Sequence, residues 1–135
     1  MPTTSRGQYG IIYTFRVLSN MPIDPSSPCA NTTLYKVEFW SNAACQSAMR
    51  RTYINNRVSS PSWDHVYNVY KVLNIGFSPA ALPGTQVGTI GIELESTGTC
   101  PTLQRFCRLD ANGNCLASLF DYSKTCCPLS GFSSS

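Results

Sequence analysis

Between Thr99 and Gly131 the chain reads TCPTLQRFCRLDANGNCLASLFDYSKTCCPLSG, and this stretch holds Cys100, Cys107, Cys115, Cys126 and Cys127, five of the seven cysteines. What they do constrains the fold more than any other feature. Structural zinc sites present close ligand pairs such as Cys-x2-Cys. No such pair occurs, and the only histidine, His65, is far upstream of Cys100. A nucleophilic cysteine needs a base beside it, and a redox centre needs the Cys-x2-Cys spacing. Neither is present. Crosslinks remain. Cys126 and Cys127 cannot comfortably bond to each other, but as neighbours they can point apart and tie two separate elements. A bridge closing a loop of this size adds on the order of 3 kcal/mol, mostly by restricting the unfolded chain. At least two disulfides are expected within Cys100 to Cys127. Seven is odd, so one thiol is left over. Cys29, in a proline-rich loop, and Cys45 are expected to pair with each other or with Cys126 and Cys127.

A chain of 135 residues suits one domain with its own core. Charged residues make up only 13%, about half the usual share, so Ser, Thr, Asn and Gln must supply the polar surface. Net charge is +3 with Arg50-Arg51 the one adjacent basic pair, which excludes a phosphate-binding stripe and a nucleic-acid partner. Apolar runs are only a few residues long, so no membrane span is expected. The opening MPTTSRGQYGII shows no secretory signal, whereas the cysteine content favours an oxidising compartment. An excised domain and a chain made without a signal both fit that combination.

Gln8–Leu18 (QYGIIYTFRVL) is rich in β-branched and aromatic residues and reads as a strand. The proline-rich loop after it leads to Leu34–Trp40 (LYKVEFW), whose alternation sends Leu34, Lys36, Glu38 and Trp40 one way and Tyr35, Val37 and Phe39 the other. SNAACQSAMRR has helical chemistry, with Ser41 or Asn42 as N-cap and basic residues at the far end. Thr52–Val58 reads as a hairpin around Asn55-Asn56. Val66–Phe77 is expected as one long strand, Val87–Leu94 as another, Thr102–Phe106 as a helical turn and Leu116–Tyr122 as the last strand. The closing FSSS reads as a frayed tail. The sum is a mainly β chain: an antiparallel β-sandwich with two short helical insertions and a disulfide-stapled C-terminal region. One domain spans 8–129, with 1–7 and 130–135 as flexible ends.

No catalytic constellation is complete. A Gly-x-Ser-x-Gly elbow is missing, and Glu93 and Glu95, two apart on one strand face, read as solvated rather than as a glycosidase pair. No cofactor and no metal is implied. Four aromatic residues, Trp40, Trp63, Tyr67 and Tyr70, are the candidates for partner contact, as stacking platforms for carbohydrate or as the lining of a protein-binding groove. Core packing is the competing role for each tryptophan. The Pro22 to Pro28 loop is a further contact candidate. Asn31-Thr32-Thr33 is a glycosylation sequon.

CPTLQRFC, then GNCLASLF, then CCP resembles the end of a pherophorin domain, the module of extracellular-matrix glycoproteins in volvocine green algae. TTLYKVEFWSNAACQSAMRRTYINN, SPSW and PGTQVGTIGIEL follow in the expected order upstream. The resemblance implies an extracellular-matrix or cell-surface structural role without catalysis. Its partners would be neighbouring proteins and glycoproteins, hydroxyproline-rich or polyproline rods among them, with carbohydrate as the alternative. A cilium is the alternative location for a chain without a signal. The family usually carries cysteines where this chain has Thr14 and Gly91 and, at its start, two more in a Phe-Pro segment that is missing here. Loss of the cysteines at positions 14 and 91 together is chemically sensible if those two cysteines bond each other in the family.

Overall fold

A computed structural model describes residues 3–19, 33–64, 66–78, 85–98, 100–109, 111, 113–120 and 129–133. Among these residues ten strands form two antiparallel sheets of five. The first runs β1 (Thr3–Arg6), β2 (Ile11–Ser19), β8 (Thr85–Leu94), β4 (Met49–Ile54), β5 (Arg57–Ser59). The second runs β10 (Leu129–Ser133), β9 (Asn114–Phe120), β3 (Lys36–Trp40), β7 (Val69–Val72), β6 (Ser62–Asp64). The expected sandwich is therefore present, with its two helical insertions: a 3-10 helix at Ala43–Ala48 and the single turn α1 at Leu103–Phe106.

Alternation builds the interior. On β3, Val37 and Phe39 are fully buried, while Lys36, Glu38 and Trp40 lie on the opposite face. Ile90, Ile92 and Leu94 of β8 face them from the other sheet, and the rings of Phe15 and Phe39 meet across the gap at 5.8 Å. Burying side chains of this size stabilises by roughly 1.5–3 kcal/mol each. At Gly88 a side chain would collide with the ring of Phe77, so glycine there lets Phe77 seat in the core.

Local chemistry explains where expected elements change. Asn55 and Asn56 both have positive φ (50° and 64°), which makes the expected two-residue hairpin turn between β4 and β5. Asn68 (φ 55°) and Asn74 (φ 59°) also sit in the left-handed region and bracket β7, so the expected strand 66–77 is cut to Val69–Val72. The expected helix over Ser41–Arg51 stops at Ala48, and Arg50 and Arg51 lie on β4, paired with β8, instead of at a helix C-terminus. Paired strand also reaches beyond 8 and 129 at both ends: β1 pairs with β2, and β10, which takes in Phe132 and Ser133 of the expected tail, pairs with β9.

Glu93 overturns its expected solvated position. It is fully buried, on the outer face of β8, beneath the β1–β2 turn. Its Oε2 accepts hydrogen bonds from the backbone N–H groups of Tyr9 (2.6 Å) and Gly10 (3.0 Å), and its Oε1 accepts one from the Tyr53 hydroxyl (2.6 Å). Burial, and then this bond to the carboxylate, push the Tyr53 phenol up. A side chain at position 7 would strike the Glu93 carboxylate, so Gly7 is what lets the turn close over it. Glu95, by contrast, is part-exposed and paired with Arg50. Two places further back along β8, Gly91 lies directly opposite Thr14 of β2. Residues opposed in this way are close enough to be bridged, so the two positions where the family usually carries cysteine are cross-strand partners.

Two disulfides are present among the described residues, Cys45–Cys100 and Cys107–Cys115. The second lies within the C-terminal cluster. The first leaves it, which corrects the expected pairing of Cys45 with Cys29, Cys126 or Cys127. The reason is local. The Asn42 N–H donates to the carbonyl of Phe106 and its side chain to that of Arg105, which seats the 3-10 helix carrying Cys45 against α1. Cys29, Cys126 and Cys127 lie outside the described residues. Cys45–Cys100 spans 55 residues and Cys107–Cys115 spans 8. Loop-closure entropy then assigns them about 4 and about 2.5 kcal/mol respectively. Replacing Cys45 and Cys100 together by Ser should lower the denaturant midpoint more than replacing Cys107 and Cys115, as followed by equilibrium urea unfolding.

Candidate functional site

The four candidate aromatic residues separate into two groups. Trp63 and Tyr70 belong to the interior. They are cross-strand partners on β6 and β7, with ring centroids 6.4 Å apart, and both meet Phe106 of α1 edge-on, at 6.4 and 5.9 Å. Tyr70 is 0% exposed and offers no surface to a partner. Its hydroxyl hydrogen-bonds with that of Thr52 on the other sheet, and burial pushes the phenol far above its ordinary range. Trp63 is half-buried and borders a hollow with Gln46, Met49 and Pro61.

Trp40 and Tyr67 come together on the outer face of the β10-β9-β3-β7-β6 sheet. With Glu38, Val69, Arg108 and Ser118 they line a groove of about 420 Å³, within the size range of small-ligand sites. Trp40 ends β3, and its Nε1–H donates to Ser118 Oγ on β9 at 3.1 Å, which fixes the indole between strands. Glu38 shares its face two residues earlier and is held by Lys36 at 3.0 Å, the ammonium of which sits 4.1 Å over the Phe120 ring. Arg108 is placed by its backbone: its N–H donates to the carbonyl of Trp40 (2.8 Å) and its carbonyl accepts from Leu116 (3.0 Å), beside the Cys107–Cys115 bridge.

Tyr67 is presented on the turn between β6 and β7. Asp64 Oδ1 accepts from the N–H groups of Val66 (2.9 Å) and Tyr67 (3.2 Å), and Asp64 Oδ2 pairs with Lys71 Nζ at 3.2 Å. Asn68 reverses the chain with positive φ, and its carbonyl accepts from the Ser41 N–H. Val66 and Tyr67 are consequently 80% and 74% exposed on a turn whose backbone is held at both ends. The Tyr67 N–H, and then Lys71 and the Val66 N–H, hold the Asp64 carboxyl below its ordinary range.

Glu38 and Ser118 were legible as groove residues only through the strand alternation that puts Glu38 beside Trp40. Arg108 carried no sequence signal, since its place comes from a backbone bond and a disulfide. The Pro22 to Pro28 loop, Asn31 and His65 lie outside the described residues. Among the described residues no cluster of three His, Cys, Asp or Glu side chains is placed to hold a metal ion, and no helix is long and apolar enough to cross a membrane.

Trp63→Ala should cost roughly 2–4 kcal/mol of folding stability because it opens the aromatic cluster, whereas Tyr67→Ala should stay within about 0.5 kcal/mol. Chemical denaturation of the two variants checks the contrast. The depressed Asp64 carboxyl gives a pH expectation with a definite sign. Its contribution to the 64–67 turn is fully present above the unfolded aspartate pKa of about 3.9 and is lost as pH falls through the lower, folded value. The amide resonances of Val66 and Tyr67 should therefore shift together below the ordinary aspartate range. A transition within or above that range would show that Asp64 does not hold the turn.

The sequence was also compared with known proteins. No curated protein and no solved structure matches it. A family model described as Pherophorin matches residues 2–128. With that match over nearly the whole chain, and with the sandwich and cysteine bridges described above, the chain belongs to the pherophorin family, a family of extracellular-matrix glycoproteins.

Proposed function

We propose that this chain is a non-catalytic structural and adhesion module of an algal extracellular matrix or cell surface, which works by binding neighbouring glycoproteins through the Trp40–Tyr67 groove. The observation that carries the reading is the preorganised exposure of Tyr67. A large aromatic side chain with three-quarters of its surface in water, on a turn held by Asp64, is the kind of residue that dominates interfaces. Trp40 beside it adds a second ring already fixed by Ser118, so little ordering entropy opposes contact. Two buried disulfides and a low-charge surface suit a durable unit in an oxidising exterior.

Neighbours of this kind offer two sorts of surface, an extended proline-rich backbone and a covalently attached glycan. An extended polyproline helix has little entropy left to lose on docking in an aromatic-lined groove. The sequon at Asn31 would give the module a glycan of its own.

Retention of the purified chain on extracted algal matrix glycoproteins tests the reading. Tyr67→Ala should weaken retention about tenfold, the effect of losing roughly 1.4 kcal/mol at one interface residue. Retention untouched by Tyr67→Ala would move the contact to another face. Turnover of a glycoside or peptide by the purified chain would overturn the non-catalytic reading altogether.

A further inference from the structure

We infer that the occupant of the Trp40–Tyr67 groove is carbohydrate: an oligosaccharide that lays an apolar ring face against the aromatic side chains and presents adjacent hydroxyls to Glu38 and Arg108. This rests on the reading that the groove is the contact site and names what the contact reads.

The donor and acceptor inventory of the groove decides between its two possible occupants. A proline-rich segment has carbonyl acceptors and lacks backbone N–H donors. Here the indole N–H of Trp40 already donates to Ser118 Oγ at 3.1 Å, which leaves Arg108 and the Tyr67 hydroxyl as the donors for such carbonyls. The groove also offers a carboxylate, Glu38, which can only accept. Lys36 holds one of its oxygens, but a proline segment brings no donor for the other, and a desolvated acceptor without a partner is costly. A sugar hydroxyl both donates and accepts, so two adjacent hydroxyls satisfy Glu38 and Arg108 at once. The carbon-bound hydrogens on one face of a pyranose supply the apolar surface that stacks on an aromatic ring.

Rigidity points the same way. Two parts of the site are placed by something other than a ligand: the Glu38 carboxylate by Lys36 at 3.0 Å, and the Arg108 backbone by its N–H to the Trp40 carbonyl and the adjacent Cys107–Cys115 bridge. Tyr67 is positioned by the Asp64-capped turn. Sugar hydroxyls are well hydrated before binding, so a site gains on water only where its own groups are already in place. At about 420 Å³ the groove holds a short saccharide rather than an extended chain face.

The test titrates the folded chain calorimetrically with soluble neutral and uronic-acid oligosaccharides and, separately, with a proline decapeptide. The expected result is binding to at least one oligosaccharide class. Tyr67→Ala and Glu38→Gln should each weaken it about tenfold or more, with unchanged unfolding midpoints, as loss of a charged hydrogen bond or a stacking ring implies. No oligosaccharide bound, or binding that both variants leave unchanged, overturns the inference. Binding of the decapeptide alone, in a Tyr67-dependent way, overturns the carbohydrate assignment but preserves the groove as contact site. Tyr67-independent retention on matrix together with no oligosaccharide binding overturns both.

Discussion

Tyr70 is the point at which the two sheets, the helical turn and the β6 arm meet. Its ring packs against both Trp63 and Phe106, and its hydroxyl reaches across the sandwich to Thr52. A phenol this deeply buried needs a partner, because an unpaired polar group in the interior costs more than the bond itself returns. Thr52 supplies one from the opposite sheet, which ties β4 to β7 across the core. Cys45–Cys100 then closes the same end of the molecule by tying the 3-10 helix to the segment that enters α1. The groove on the outer face inherits its precision from this interior. β7 carries Tyr70 inward and Val69 outward on consecutive residues, so whatever fixes one fixes the floor of the other.

How much of this was readable in the residues differs from element to element. The alternation of LYKVEFW correctly assigned the inward and outward faces of β3, and Asn55-Asn56 correctly marked a tight turn, since both signals are local. Glu93 was not readable. Nothing near it in sequence distinguishes it from an exposed acid, because the groups that bury it arrive from Tyr9, Gly10 and Tyr53, far away along the chain. The division of the aromatic residues was half-legible. Trp40 sat on the outward face by alternation, but Trp63 and Tyr70 turned inward only because β6 pairs with β7 in the register that puts them side by side. Asn68 and Asn74 read as strand residues within Val66–Phe77, although asparagine tolerates the left-handed conformation that both adopt. The pairing of Cys45 with Cys100 followed from helix docking, which no spacing rule contains.

The two faces of the sandwich are built for different purposes. On the first sheet the outer face is closed locally, with the turn before β2 folded down onto a buried carboxylate. On the second it stays open around Trp40, with its charges paired along the strands: Lys36 with Glu38, and Lys71 with Asp64. Part-buried surface pairs of this kind contribute modestly to stability. Their effect here is positional, since one holds a groove carboxylate and the other steadies the turn that presents Tyr67.

The Glu93 contacts also give the first sheet a mechanical character. All four side chains of β1 are exposed, so this edge strand is held to β2 by backbone hydrogen bonds and by the turn that follows it. A pull applied at Thr3 would peel those bonds in sequence, beginning where Thr3 faces Thr14 and travelling towards Arg6 and Ile11. Peeling would then meet the turn, where a single carboxylate grips two amides and a phenol. The strand can thus lengthen under load by a few residues and arrest before the core is touched, a small extensible link in series with a stiff body.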